Sequence, residues 1–246
     1  MDLSSNTVLI TGGASGIGLA LAERFLHAGS EVILCGRREE KLREAREKHP
    51  GIRIHVCDLA SEPDRLALLD RAVKEFPRLN ILVNNAGIQL RASLAEPREW
   101  DHVRQELAIN FEAPVHLSML FLPHLLKQPR PAIINVTSGL AFSPLARVPV
   151  YSATKAAMHS FTLSLRQQLS GTPIQIIEII PPAVDTDLGG PGLHTFGVPV
   201  AEFVDAVMPR IAAGDIEVAY GFAQKASQAS RQDLDALFRQ MNQTAS

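Results

Sequence analysis

Thr11-Gly12-Gly13-Ala14-Ser15-Gly16-Ile17-Gly18 is the stretch that decides the fold. An apolar run, Thr7-Val8-Leu9-Ile10, leads into it and reads as a buried strand. Ile17, Leu21 and Phe25 leave it at helical spacing. Strand, glycine turn and helix form the setting in which such glycines bind a phosphate. Gly12 permits the tight turn, Gly16 leaves the backbone open to a pyrophosphate, and Gly18 lets the helix pack closely on the strand. The N–H groups at the new helix's start then face the phosphates. An ordinary strand-to-helix turn also carries glycines, so the nucleotide assignment rests on further clusters along the chain. No Lys-Ser/Thr pair comes after Gly18, which argues against a Walker loop.

Outward from this turn, Glu31-Val32-Ile33-Leu34-Cys35 reads as a second strand, ending at Gly36-Arg37-Arg38. This place, ~20 residues after the turn, is where an acidic side chain would hold the ribose 2′-hydroxyl of NAD. No acid stands there before Glu39; two arginines do. A guanidinium pairs bidentately with a 2′-phosphate, so the sequence points to NADP(H). Arg37 is assigned to that phosphate, while Arg38 also suits the solvated start of a charged helix from Glu39 to Lys48.

Ile52 to Cys57 reads as a third strand, stopping at Asp58, which can accept from an adenine amino group or cap the next turn. Asp64 to Phe76 is predicted helical, with Leu66, Leu69 and Val73 inward. Leu79 to Val83 is a fourth strand running into Asn84-Asn85-Ala86-Gly87, small residues that let a cofactor lie against the backbone or simply make a turn. Alternating strands and helices imply a doubly wound, mostly parallel α/β sheet of the Rossmann type, with about seven strands and helices on both faces. Ligands of such sheets bind at the carboxyl ends of the strands.

Composition agrees. The chain has 246 residues and a net charge of −2, and fits one domain over 1–246 without metal or disulfide staples. No basic stripe supports a nucleic-acid partner, and no metal site is expected. Cys35 and Cys57 sit in separate apolar runs and read as buried, reduced thiols. No apolar stretch approaches the ~20 residues of a membrane span, and the first residues carry no signal pattern. A cytoplasmic protein with a small-molecule substrate is the expectation.

Trp100 to Lys127 reads as one long helix with Leu107, Phe111, Val115 and Leu122 on its apolar side. Pro114 cannot donate to the carbonyl four residues earlier, so Asn110 should sit at a kink, its carbonyl able to hold a water or its side chain serving structure. Ala132 to Val136 is a fifth strand, ending at Thr137-Ser138-Gly139. Tyr151-Ser152-Ala153-Thr154-Lys155 then opens a helix with Met158, Phe161, Thr162 and Leu165 inward. Tyr151 and Lys155 share one helix face. An ammonium beside a phenol lowers a pKa that starts near 10, as proton exchange near neutral pH requires. Ser138 can offer a hydroxyl to the same substrate oxygen.

The glycine-rich turn, Asn-Asn-Ala-Gly, Asn110, Ser138, Tyr151 and Lys155, falling in this order, resemble the short-chain dehydrogenase/reductase family from about Asn6 to Gly221. The stretches from Val136 to Phe142 and from Gly192 to Pro199 are similar to its DltE-like oxidoreductase branch. The resemblance implies that Tyr151 is the proton donor in reduction and that Lys155 tunes it and holds the nicotinamide ribose. It implies that Ser138 orients the carbonyl and that Asn110 anchors a relay water through its backbone carbonyl. Cofactor contacts are implied at Gly12, Ser15, Gly16, Ile17 and Gly18, at Arg37 and Arg38, and at Asp58 and Leu59 for the adenine. They are also implied at Asn85, Ala86 and Gly87, and at Pro181, Val184 and Thr186 after the sixth strand (Ile176 to Ile180). The chain departs from the family there: Pro181-Pro182 stands where Pro-Gly is usual.

Residues 185–200 are rich in glycine and read as a mobile flap over the substrate. Leu188, Leu193, Phe196 and Val198 would give it an apolar lining, with Leu140 opposite, suited to a medium-sized hydrophobic ketone or diketone. Gln89, Arg91, Arg147 and His194 could instead read a polar or acidic group; His194 is otherwise expected to face solvent. Ala201 to Ala213 is a further helix, Ile216 to Ala219 a last strand, and 222–246 a helical tail, amphipathic through Leu234, Leu237, Phe238 and Met241. The helices from Trp100 to Lys127 and from Val150 to Leu169 carry more apolar residues than one sheet face needs, and the resemblance implies a homodimer or homotetramer. The expected activity is reversible, NADPH-dependent reduction of a ketone or aldehyde; the alternative is a non-catalytic NADP(H) sensor or scaffold on the same fold.

Overall fold

The strands are β1 (Thr7–Thr11), β2 (Glu31–Gly36), β3 (Ile52–Val56), β4 (Ile81–Asn84), β5 (Ala132–Val136), β6 (Gln175–Ile180) and β7 (Glu217–Ala219). The structure, a computed structural model, describes residues 1–91 and 100–243. Among these, the seven strands join one sheet in the order β3-β2-β1-β4-β5-β6-β7, every pair parallel. Leu9 of β1 registers with Ile33 of β2 on one side and Leu82 of β4 on the other. Both β1 and β5 are buried along their whole length, which is why they read as unbroken apolar runs rather than alternating ones.

Helices α1 (Gly16–His27), α2 (Glu39–Lys48) and α7 (Val200–Ala213) close one face, packing Leu21, Phe25, Leu42 and Phe203 on Val8, Ile10 and Ile134. Helices α3 (Glu62–Glu75), α5 (Ala113–Leu125) and α6 (Pro149–Gln168) close the other, over Leu9, Ile33 and Ile133. Helix α4 (Trp100–Leu107) precedes α5, and α8 (Phe222–Ser227) and α9 (Arg231–Asn242) end the described chain. The sequence direction reverses between β1 and β4, so their carboxyl ends part and open a crevice, the usual ligand position of such sheets.

Two helices differ from the sequence expectation. The buried positions of α3 are Arg65, Leu68 and Ala72, whereas Leu66 is exposed and Leu69 and Val73 are half-buried. Arg65 is buried because its guanidinium is fully engaged, donating to Leu59 O at 2.6 Å, to Glu112 at 2.6 Å and to His116 Nδ1 at 3.0 Å. The long helix from Trp100 is interrupted by a π turn over Ala108–Glu112, where the Ala113 N–H donates back to Ala108 O. Pro114 lacks an N–H and crowds the carbonyl four residues back, and the wider turn absorbs both defects. The extra residue rotates the helix beyond it, so Ala113, Leu117, Phe121 and Leu125 are buried. Leu107 is partly exposed, and Phe111, Val115 and Leu122 are only half-buried. In α6, Met158, Thr162 and Leu165 face inward as expected, with Phe161 half-buried.

Gly18 is buried in α1, and a Cβ there would collide with the Asn85 side-chain amide and the Gly12 carbonyl, the latter at 2.6 Å. Overpacking of this kind costs about 1–3 kcal/mol, several degrees in Tm for a domain of this size. Gly18→Ala should therefore melt several degrees low in scanning calorimetry. Gly171→Ala, where nothing stands within 4 Å of the new atom, should melt within about a degree of the parent. Equal melting of the two variants would contradict the close approach of α1 to the loop after β4.

Candidate active site

The floor of the crevice is made by one hydroxyl. Thr11 Oγ1 donates to Val83 O at 3.2 Å and accepts from the N–H groups of Asn85 at 2.9 Å and Ala86 at 3.0 Å. Asn85 Nδ2 returns the tie, donating to Thr11 O at 2.9 Å and Gly12 O at 3.2 Å. Gly12 takes a positive φ of 63°, and a Cβ there would lie 2.8 Å from Ala86 Cα. Gly16 also has a positive φ, 54°, and across from it stands only the Thr186 methyl, 3.1 Å from where a Cβ would be. Above this floor lies a cavity of about 860 Å³.

The glycine turn forms one end. Ser15 precedes α1 without capping it, and the first turn of α1 carries no acidic residue, so the helix's positive end is left for an anion. Gly12, Ser15, Gly16 and Ile17 line the cavity, as do Arg37, Arg38, Asp58, Leu59, Asn85, Ala86, Gly87, Pro181, Val184 and Thr186. Gly18 does not: it serves packing against Asn85, which corrects its assignment as a cofactor contact. Arg38 reaches across to Ser15, Nη2 to Oγ at 3.2 Å, and so belongs to the site rather than to the solvated face of α2. Glu39, the next carboxylate along the chain, is in an ion pair with Arg43 at 2.6 Å. Asp58 caps its own turn, accepting from Ala60 N at 3.1 Å, while still standing on the cavity wall. A helix start without acidic side chains and two guanidiniums on the wall fit a dinucleotide bearing an extra phosphate.

The carboxyl end of β5 and the start of α6 supply the opposite wall. Ser138, Tyr151 and Lys155 are all buried and all line the cavity. Ser138 Oγ accepts from Leu140 N at 3.1 Å. Lys155 Nζ donates to Val136 O at 2.9 Å and stands 5.5 Å from the centre of the Tyr151 ring. Burial lowers the Lys155 pKa to about 8. Burial also raises the Tyr151 phenol well above its ordinary value, the Ser138 hydroxyl working against the rise and Glu106 with it. The expectation that the ammonium lowers the phenol's pKa is thus not met by the chain alone, because desolvation opposes the charged form of both groups. Asn110 is off the cavity wall. Its side chain clamps the loop after β4, accepting from Ile88 N at 2.9 Å and donating to Ile88 O at 2.8 Å and Thr154 at 3.3 Å. Gly87 lies between, where a Cβ would sit 3.4 Å from Asn110 Oδ1 and 3.8 Å from Lys155 Nζ.

The 185–200 segment covers the cavity as irregular turns, and Leu140, Leu188, Leu193 and Phe196 all line it, Phe196 largely exposed. His194 does not simply face solvent: it is half-buried on the wall, and its Nδ1 is buried without a hydrogen-bond partner among the described residues. The C-terminal helix also reaches the site. Asn242 accepts from Ala146 N at 2.7 Å and donates to Pro144 O at 3.1 Å, placing Met241 on the cavity wall although no residue of α9 is itself buried. Residues 244–246 of the expected tail lie outside the described residues.

Sequence reasoning missed a buried network behind the site. Glu178, fully buried in β6, meets His159 Nδ1 with both carboxylate oxygens at 3.0 Å and accepts from Thr137 Oγ1 at 2.7 Å. Thr137 adjoins Ser138, and His159 lies one helical turn beyond Lys155. A charged residue inside Ile176-Ile177-Glu178-Ile179-Ile180 is the available signal, since such a position needs a partner. Both cysteines are free and buried, and burial raises their thiols, Cys57 to about 12.

The family model of short chain dehydrogenases matches residues 6–193. The chain is 49% identical to the uncharacterized oxidoreductase DltE of Bacillus subtilis, over 98% of each chain. It is 35% identical to sulfoacetaldehyde reductase 2 of Chromohalobacter salexigens, over 74% of each. A crystal structure of a short chain dehydrogenase from Burkholderia cenocepacia in complex with NADP superposes with a TM-score of 0.83 at 28% identity, covering 97% of this chain and 99% of that one.

Hydrogen bonding to Glu178 raises the His159 pKa above its ordinary 6.5, against the lowering effect of burial. A pKa raised on folding stabilises fully below the unfolded value and loses that contribution as pH climbs through the folded value. The parent protein should therefore lose melting temperature relative to Glu178→Gln as pH rises above about 6.5. Imidazole NMR should place His159 above 6.5 in the parent and below it in the variant. An unshifted His159 would remove the ion pair from the account.

Proposed function

The chain belongs to the short-chain dehydrogenase family, and from that premise we propose that this oxidoreductase reduces an aldehyde or ketone to an alcohol with NADPH, reversibly. The observation that carries the reading is the convergence of Ser138, Tyr151 and Lys155 on one wall of a cavity whose other end is the glycine cradle. The relative from Chromohalobacter is named for reduction of an aldehyde, which agrees with carbonyl chemistry.

When bound, NADPH supplies the two electrons and the hydrogen gained by the carbonyl carbon. Tyr151 holds the proton that the carbonyl oxygen takes; its burial keeps the phenol protonated at neutral pH. Ser138, already accepting from Leu140 N, has its own proton to direct at the same oxygen. Lys155, held by Val136 O, stands where it can bind the nicotinamide ribose and stabilise the phenolate left after proton transfer. The Asn110 carbonyl, opposite the ring nitrogen of Pro114, anchors a water that returns the proton. Arg37 and Arg38 hold the 2′-phosphate. Trp100, Met119 and Leu163, exposed on the outer helices, suit burial between subunits in a homodimer or homotetramer.

Two measurements test this. Tyr151→Phe should lose about 10²–10⁴ in turnover while binding NADPH within about threefold of the parent, by rates and calorimetry on the same preparations. Near-normal turnover would move the proton donor elsewhere; NADPH binding with no turnover of any carbonyl by the parent would favour a sensor. Arg37→Ala and Arg38→Ala should each shrink the preference for NADPH over NADH by about tenfold, the worth of one charge-assisted contact. Equal affinity of the parent for both cofactors would overturn the NADP assignment.

A further inference from the structure

Beyond Tyr151 the cavity changes character. Thr186 faces the glycine turn, and three residues later Gly189 abuts Gln89, whose carbonyl would be 3.0 Å from a Cβ there. The flap thus meets both the glycine turn and the loop after β4, and Leu193, His194, Gln89 and Arg91 all line the cavity. Arg147, just ahead of α6, completes this end.

Arg147 and Arg91 bring positive charge to this end, with Asp185 and Asp187 on the flap opposing it. Arg147 is exposed on the wall and makes no ion pair among the described residues. The first turn of α6 carries no acidic residue, so the positive end of that 20-residue helix adds to the field. Burial chiefly lowers the His194 pKa, a backbone hydrogen bond at Leu188 and the charge of Asp185 acting against it and the charges of Arg147 and Arg91 with it. Its buried Nδ1 lacks a partner, a state that a bound polar group would relieve. Asp187 is the opposing carboxylate on the flap's share of the wall, next to Thr186 and so toward the phosphate turn. The rest of this end is apolar, through Leu140, Leu145, Leu188, Phe222 and Met241.

We infer that the substrate is a short aldehyde or ketone bearing a carboxylate or sulfonate a few bonds from its carbonyl, with Arg147 and His194 binding the oxyanion and Arg91 adding to the field. The assignment of a carbonyl substrate rests on the reductase reading above; the oxyanion subsite stands on its own residues. Arg147 and Tyr151 bracket the start of α6, so an oxyanion at one and a carbonyl at the other belong to a compact molecule. A guanidinium meets either oxyanion with paired N–H donors.

The test compares succinic semialdehyde with its methyl ester, the same carbonyl with and without the charge, under NADPH with the full chain. The parent should favour the acid by at least about tenfold in kcat/KM, expressed mainly in KM, the scale of one charge-assisted contact. Arg147→Met should cut the acid-over-ester ratio at least tenfold, and Arg147→Lys should restore part of it. A second arm titrates succinate into the protein by calorimetry, where the parent should bind saturably and Arg147→Met at least tenfold more weakly. A parent that turns over the ester as well as the acid, or a ratio unmoved by Arg147→Met, overturns the inference and leaves the reductase reading standing. Succinate binding that weakens in Arg147→Met, in a protein inert toward every carbonyl, supports the oxyanion subsite and overturns the reductase reading. Absence of succinate binding overturns the subsite whatever the rates.

Discussion

The Thr11 hydroxyl is used to capacity: its proton goes to Val83 O and its oxygen receives the N–H groups of Asn85 and Ala86. This fixes the separation of two backbone segments that leave adjacent strands in different directions. The loop after β4 is thereby held against the glycine turn, with Ala86 too close to Gly12 for any side chain there. An apolar residue at position 11 would take this acceptor from the half-buried Asn85 and Ala86 N–H groups. The crevice is therefore a set distance rather than a gap between mobile loops, and the elements that line it are positioned relative to that distance.

The opposite wall is held by polar side chains as well as apolar packing. Asn84 donates to Asn135 at 2.9 Å, and Asn135 donates to Thr162 at 2.9 Å, tying β4, β5 and α6 beneath the site. Asn110 joins the π turn to α6 and to Ile88, and Glu178 joins β6 to α6 and to the strand end that carries Ser138. Hydrogen bonds are directional where apolar contacts are not, and this network favours one arrangement although Asn84 Oδ1 is left without a partner among the described residues. A site that must keep a phenol, a hydroxyl and an ammonium in register gains from that specificity.

Much of this is legible in the sequence. The strands are, because a doubly buried parallel strand reads as a continuous apolar run, and the glycine turn is, because strand and helix flank it. The inward face of α3 is not, because apolar spacing cannot reveal that Arg65 is the most engaged side chain on it. Pro114 marks a kink in the helix after Trp100; that the defect is taken up by one extra residue, rotating all of α5, depends on the packing of both halves. Gly18 and Gly16 are identical in the sequence, and only the Asn85 side chain and Gly12 carbonyl against one and the Thr186 side chain alone across from the other separate packing from ligand approach. His194 and Met241 reach the cavity through the path of the flap and the docking of α9, and neither path has a local sequence signal.

The proton inventory of the site bears on the proposed direction of reaction. Burial favours the neutral forms of both Tyr151 and Lys155, so near neutral pH the phenol keeps its proton and the ammonium, with a pKa of about 8, is only modestly secure. Reduction starts from a protonated donor and needs no prior ionisation of Tyr151. Oxidation of an alcohol needs the phenolate first, and the Ser138 hydroxyl and Lys155 are groups on hand to stabilise that charge. Raising the pH to ionise the phenol also discharges the lysine, so the two requirements of the oxidative direction work against each other. Burial thus works against the charged forms of both groups, whichever way the proposed reaction runs.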